Sequence, residues 1–382
     1  MAARNAVLGT FFLNGFAFAT WASRIPSVRH ALDLGPGSLG LLLLACSIGS
    51  LLALPTSGGT VQRYGARRVV VAATLVEAVG LILVGVGVGV LELVPVTALG
   101  LFLVGLGTGT WDVAMNVEGA EVERLLRRSI MPRFHAAFSL GTVAGAGVGA
   151  LVTFAGVGVL WHVGAVGVLV AVLGGLSVRG FLEVDPDRRA SAKGNALKAW
   201  AEPRTVLIGV MVLALALTEG VANDWLGVAM VDGYGAPAWL GAATFALFVA
   251  AMTTGRVVGT VVLDAYGRQT VLWGTMALAA VGVLLVVLGQ VPGVVALGVV
   301  LWGLGASLGF PVGMSAAADD PAHAAARVSV VSTIGYTAFL GGPPLLGFIG
   351  SQVGVLNALL VVSIVLVPSA LVVPATRRPD GS

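Results

Sequence analysis

Between Thr218 and Trp225 the chain reads Thr-Glu-Gly-Val-Ala-Asn-Asp-Trp, two acids and an amide inside an apolar run from about Thr205 to Met230. At a rise of 1.5 Å per residue the middle of that run falls near Thr218, which puts Glu219 close to the midplane of a bilayer. Holding an ionised acid there costs roughly 2.5 to 3.5 kcal/mol even on the lenient insertion scale, so such residues are kept for function. Asn223 follows Glu219 by one helical turn on nearly the same face, and Asp224 lies beside it, nearer the outside. The chemistry these types can do is proton loading and release, with the amide orienting the acid or holding a polar solute. A second set, Thr108, Asp112 and Asn116, recurs every fourth residue and is flanked by Trp111 and Met115. It reads as a cavity face or as a neutral acid bonded to a neighbouring helix. His135 and Ser139 are also four apart, and imidazole, with an unperturbed pKa of about 6.5, can relay protons or simply serve a hydrogen bond. In the first apolar run Asn14, Trp21 and Arg24 are solute contacts on one reading, and an interfacial anchor and a snorkelling cation on the other.

The elements that must position these residues are membrane helices. With 57% hydrophobic and 10% charged residues and a mean hydropathy of +0.99, the composition is that of a polytopic helical membrane protein. The formal charge of +3 comes from short basic clusters between apolar runs, which report topology and imply no nucleic-acid partner. The single cysteine, Cys46, sits in an apolar run, so neither an intrachain disulfide nor a thiolate metal site is expected.

Twelve spans are predicted: about Asn5 to Val28, Ser38 to Val61, Val69 to Val90, Leu93 to Ala120, Pro132 to Phe154, Val157 to Phe181, Thr205 to Met230, Ala238 to Leu263, Thr270 to Leu288, Val294 to Ala317, Val328 to Gly350 and Gly354 to Val373. Composition turns polar between the sixth and seventh, which divides the chain into an N-terminal bundle, 1–181, a linker, 182–203, and a C-terminal bundle, 204–382. Lys and Arg gather on one side, at Arg4, Arg63, Arg67, Arg68, Arg124 to Arg133, the linker, Arg268, Arg327 and Arg377 with Arg378. Both termini are therefore expected in the cytoplasm of a bacterial cell, with the protein in its inner membrane.

The halves echo each other. Tyr64-Gly65 is followed by Gly80 in an Ala-Val-Gly triplet, and Tyr266-Gly267 by Gly282 in the same triplet at the same gapless spacing. The segments Arg133 to Gly141 and Arg327 to Gly335 also share a spacing. The sequence resembles the major facilitator superfamily over essentially its whole length. That family's loop between the second and third helices follows Gly-x-x-x-Asp-Arg-x-Gly-Arg-Arg, and Gly58, Arg63, Gly65, Arg67 and an extra Arg68 occupy it here, with Gln62 in place of the Asp and Ala66 in place of an Arg. The second-half counterpart, Asp264-Ala265-Tyr266-Gly267-Arg268, keeps its Asp. Trp21-Ala22-Ser23-Arg24, Asp112 to Asn116, Phe134-His135-Ala136 and Glu219 to Trp225 are similar to a MosC-like bacterial branch.

The resemblance implies two pseudo-symmetric six-helix bundles, all α, rocking about a cavity lined by the first, fourth, seventh and tenth helices. On that basis the cavity is assigned Asn14, Trp21, Arg24, Asp112, Asn116, Glu219, Asn223 and Trp302, with Glu219, Asp224, Asp112 and His135 as proton carriers. The cytoplasmic gate is assigned Gly58, Gln62, Arg63, Gly65, Arg67, Asp264, Gly267 and Arg268, with Arg256 serving the Asp264 region. Glu118, Glu121 and Glu123 are expected to pair with the basic clusters. Glu77, whose repeat counterpart is Ala279, lies outside the cavity. No Gly-Lys-Ser/Thr phosphate loop is present, since the lysines are Lys193, followed by Gly194, and Lys198, followed by Ala199. No zinc spacing or nucleophile elbow supports a membrane enzyme, and a non-transporting sensor would need a signalling domain beyond the spans. The expectation is a monomeric secondary transporter, with no cofactor or metal, moving a small polar, sugar- or cyclitol-like solute with protons. The rival is efflux of an amphipathic compound through a pocket of Trp21, Trp111, Trp225, Trp302 and Phe310.

Overall fold

A computed structural model of the chain describes residues 2–126, 130–182, 199–320 and 323–377, with no side-chain account of 260 and 325. Most of the predicted linker, 182–203, lies outside the described residues, as do Arg127, Arg128 and Arg378 of the basic clusters. The described residues fall into two compact units by contact, one within Met1–Arg189 together with Tyr234–Ala246, the other within Ala190–Gly233 and Leu247–Ser382.

In the first unit the helices are α1 (Ala2–Ala31), α2 (Pro36–Tyr64), α3 (Ala66–Gly89), α4 (Val94–Leu126), α5 (Met131–Phe154) and α6 (Val159–Ser177). The seventh span is α7 (Pro203–Val221), a π turn at Ala222–Leu226 and α8 (Gly227–Tyr234). There follow α9 (Ala238–Tyr266), α10 (Arg268–Leu288), α11 (Pro292–Ala306), α12 (Gly309–Ala317), α13 (Ala324–Val353), α14 (Val355–Ala358) and α15 (Leu360–Ala370). Among the described residues ten stretches are long and apolar enough to cross a membrane, and α13 and the shorter Val355–Ala370 stretch supply the last two predicted spans. No strand occurs among the described residues. Proline stands in the first turn of α2, α5, α7 and α11, where a missing N–H costs nothing and the fixed φ suits a helix start.

The repeat is visible in the packing. In the first unit α1 lies against α5, and α3 against α4 and α6; in the second, α7 lies against α13, and α10 against α11 and α15. The connections repeat as well: left-handed residues Asp33, Gly65, Glu92 and Gly156 in the first half have counterparts Gly235, Gly267, Gln290 and Gly354 at the same turns of the second. Gly65 and Gly267, at φ +82° and +74°, each start a helix directly after the preceding one ends, a reversal that a Cβ would strain. Gly80 and Gly282, paired in the sequence, are the close-approach points between adjacent helices. A Cβ on Gly80 would stand 2.7 Å from the Gly100 carbonyl, and one on Gly282 2.6 Å from the Gly298 carbonyl.

Two predicted helices are interrupted. The seventh widens into the π turn, and the tenth bends at Ser307 and Leu308 between α11 and α12. Ser307 turns its hydroxyl back onto the Leu304 carbonyl, 2.6 Å away, and Gly309 follows. A back-bonded serine next to a glycine is a recognised cause of such a bend.

Candidate functional site

The π turn covers Ala-Asn-Asp-Trp-Leu, the latter part of the polar stretch singled out in the sequence. Just before it, the Ala222 N–H bonds the Glu219 carbonyl and not that of Thr218. The Thr218 carbonyl, which the Ala222 N–H has left, accepts the indole N–H of Trp302 at 3.2 Å. Trp302 is fully buried and meets Phe248 edge-on, with ring centroids 5.6 Å apart. Its indole N–H is thus spent on the backbone of the seventh span.

Glu219 is neither isolated nor bonded to a neutral partner. Arg256 Nη2 on α9 donates to both its carboxylate oxygens, at 3.1 and 3.0 Å, and Arg256 Nε donates to the Ser307 carbonyl at 3.4 Å. Arg256 was expected beside the Asp264 region; Asp264 is exposed and makes no hydrogen bond or ion pair among the described residues. The bend in the tenth span places the Ser307 carbonyl within reach of the guanidinium. Ser307 was missed in the sequence, and its signal was the Ser-Leu-Gly triplet inside an otherwise apolar run. The pair is partly accessible, with side chains 19% and 28% exposed for Glu219 and Arg256. Asn223 and Asp224, half-buried in the π turn, have no hydrogen-bond or ionic partner among the described residues. Because the turn adds a residue, the face of Asn223 is not the simple continuation of the Glu219 face that an unbroken helix predicts.

On α4, Asp112 and Asn116 are half-buried and bonded to each other, the Asn116 amide donating to the Asp112 carboxylate at 3.2 Å and to its carbonyl at 2.9 Å. Thr108 leaves that stripe: its hydroxyl donates to Glu77 on α3 at 3.1 Å. Glu77 is fully buried, in keeping with a place between helices. Asn14, Trp21 and Trp111 are buried too, and neither the Asn14 amide nor the Trp111 indole N–H has a partner among the described residues. Arg24 does not snorkel. It is buried, donating to the Thr153 hydroxyl and to the Val157 carbonyl at 2.5 Å. His135 is exposed at the start of α5, its ring edge-to-face with Phe11 at a centroid separation of 5.2 Å.

At the other polar level, Gln62 and Arg67 are exposed, Arg63 stacks over Tyr64 at 5.2 Å, and Gly58 has open space around it. Arg268 is committed within its own unit: Asp319 accepts from Arg268 at 2.9 Å and from Arg204 at 2.8 Å, while the carbonyls of Thr376 and Ala375 accept from the same two arginines. Burial pushes the Asp319 carboxyl up, but the hydrogen bonds from Arg268 and then Arg204 outweigh it and hold the group below the usual range. Glu202 is likewise held low, chiefly by its hydrogen bond from Arg327. Of the three acids expected to meet basic clusters, Glu121 pairs with Arg124. Glu123 instead takes the Ile130 and Met131 N–H groups at the start of α5, at 2.7 and 2.6 Å, where the helix dipole favours an anion, and Glu118 takes the Leu182 N–H at 2.5 Å.

Residues 7–319 match the family model described as Major Facilitator Superfamily. An uncharacterised MFS-type transporter of Yersinia pestis is 32% identical over 345 residues, 89% of this chain and 86% of that protein. An uncharacterised transporter of Sinorhizobium fredii is 31% identical over 377 residues, 98% of each. The membrane protein MosC of Rhizobium meliloti is 27% identical over 361 residues, 93% of this chain and 86% of that one. Among solved structures, the nucleoside transporter NupG superposes with a TM-score of 0.76 at 14% identity over 97% and 99% of the two chains. A bacterial homologue of the lysosomal transporter Spinster gives 0.77 at 13% over 99% and 98%. At those identities the likeness to solved structures is one of fold. Family match, relatives and repeated helix packing agree: this chain belongs to the major facilitator superfamily of membrane transporters.

Proposed function

We propose that the protein is a proton-coupled secondary transporter, moving a small polar, sugar- or cyclitol-like solute across the bacterial inner membrane by alternating access. The observation that carries this reading is the partly accessible Glu219–Arg256 pair between two helix interruptions, with Asn223 and Asp224, which have no partner among the described residues, close by in sequence. While Glu219 is charged it holds Arg256 and the span carries no net charge from the two. A proton on Glu219 releases the guanidinium, whose fork of donors then suits the oxygens of a polar solute. Proton and solute thereby act on one arginine, which is what coupling requires. Asp112 and Asn116 offer a second acid and amide, and Asp224 a second proton carrier. The bundles 1–181 and 204–382 are taken as the moving parts of a monomer, joined by a cytoplasmic linker, 182–203. Both termini are placed in the cytoplasm, so a phosphatase fused after Ser382 should be inactive in the periplasm.

The test of coupling is Glu219→Gln, which keeps shape and hydrogen bonding but not titration. In proteoliposomes, gradient-driven accumulation should disappear while exchange between pre-loaded compartments survives, since exchange need not return an empty carrier. Undiminished accumulation with the normal pH dependence would remove Glu219 from the proton path.

A further inference from the structure

Helix α1 buries a cation that no acid among the described residues answers. Arg24 is 2% exposed, and its two described hydrogen bonds go to neutral oxygens of Thr153 and Val157. Its Nε–H is sealed from solvent without an acceptor, and no carboxylate among the described residues pairs with it. Close by, His162 on α6 is 5% exposed, with neither ring nitrogen bonded.

The two belong to one place. Thr153, which accepts from Arg24, donates its hydroxyl to the Gly149 carbonyl one turn earlier on α5, at 2.7 Å. A Cβ on Gly149 would lie 2.6 Å from Cβ of Ser23, the residue before Arg24, and 3.7 Å from His162 Cε1. Helices α1 and α6 thus bring Arg24 and His162 to the same stretch of α5, and glycine is what lets them approach. An uncompensated buried charge is strongly destabilising, and each buried donor without an acceptor adds its own desolvation penalty. A water molecule would satisfy the hydrogen bonds but not the charge.

We infer that Arg24 and His162 hold a small monovalent anion, of halide or formate size, enclosed between α1, α5 and α6. The anion accepts from Arg24 Nε–H and from whichever nitrogen of the His162 ring carries a proton, and it neutralises the guanidinium. The site lies wholly in the first unit, so it stands or falls independently of the coupling assigned to Glu219 in the second.

The test is thermal unfolding of the full-length protein in detergent, titrated with sodium chloride, bromide or formate against sodium gluconate at matched ionic strength. A bound anion raises Tm steadily with the logarithm of its concentration above its dissociation constant, by a few degrees at about a hundredfold excess, because it stabilises only the folded state. The response to formate against halide tells an inorganic ion from a carboxylate source. His162→Phe keeps the ring volume and removes the donor, and should abolish the anion-specific rise; Arg24→Gln should do the same where it folds. No anion-specific shift in the unsubstituted protein would mean that water alone fills the site and overturns the inference. An undiminished shift in His162→Phe would overturn it equally.

Discussion

Glu219 and Arg256 show how a charge is carried inside a span: each is the other's counter-ion, and the Ser307 carbonyl takes a further donor. Removing one partner strands the other. Arg256→Gln should therefore lower stability by about 2 kcal/mol, below the 3–5 typical of full burial because both side chains keep some access to solvent. Adding Glu219→Gln to it should recover most of that loss, and a double-mutant cycle in thermal unfolding measures the coupling. Additive losses would mean the two do not act as a pair. Asn116 is a different case, since its hydrogen bonds stay within one turn of α4. Asn116→Ala should leave folding nearly unchanged and weaken solute binding by about 0.5–1.5 kcal/mol, once a thermal-shift screen of polar metabolites has supplied a ligand. Unaltered affinity would return the Asp112–Asn116 pair to a packing role.

At the scale of the element, the π turn of the seventh span is the feature on which the second unit's site depends. Such a turn is one residue inserted into an α-helix, so deleting Ala222 should restore regular bonding without disturbing the register beyond Leu226. The Thr218 carbonyl would then be satisfied within the helix and would no longer need Trp302. Trp302→Phe should consequently cost about 1–3 kcal/mol in the unaltered chain, the penalty for a buried carbonyl left open, and distinctly less in the deletion variant. Thermal unfolding of the four proteins decides this. The deletion variant should fold yet fail to accumulate solute in proteoliposomes, because Asn223 and Asp224 lose the backbone that presents them.

At the scale of the whole molecule, helix packing recurs between the halves, and in the second unit a charge network joins the helix starts. Asp319 ties the starts of α7 and α10 to the end of the chain through Arg204 and Arg268. A carboxyl held below its ordinary range contributes stability that is present above the unfolded value, about pH 4, and is lost as pH falls through the folded value. Glu202 carries the same sign. Stability should therefore decline as pH drops below about 4, and Asp319→Asn should flatten that decline while lowering stability at neutral pH by about 2 kcal/mol. Unfolding midpoints measured from pH 3 to 7 check both parts; an unchanged acid slope in the variant would clear Asp319 of the role.

The sequence alone determined the spans, their polar connections and the repeat, because apolar runs, glycine turns and basic clusters are local signals that a bilayer forces to be strong. It also located Glu219, Asn223, Asp224, Asp112 and Asn116, since any ionisable group in such a run stands out. Partners were another matter. Whether Arg256 answers Glu219 or Asp264, whether Thr108 serves Asp112 or Glu77, and whether Trp302 faces a cavity or a backbone carbonyl depend on helices far apart in the chain. Spacing along one helix defines a face but not what stands opposite it. His162 and Ser307 escaped notice for the same reason: each is unremarkable in its own run and acquires meaning only from the cation or the guanidinium that another helix brings to it. Helix direction and burial follow from the local energetics of transfer into hydrocarbon, whereas charge pairing is settled by which helices cross, and that is decided only by the tertiary fold.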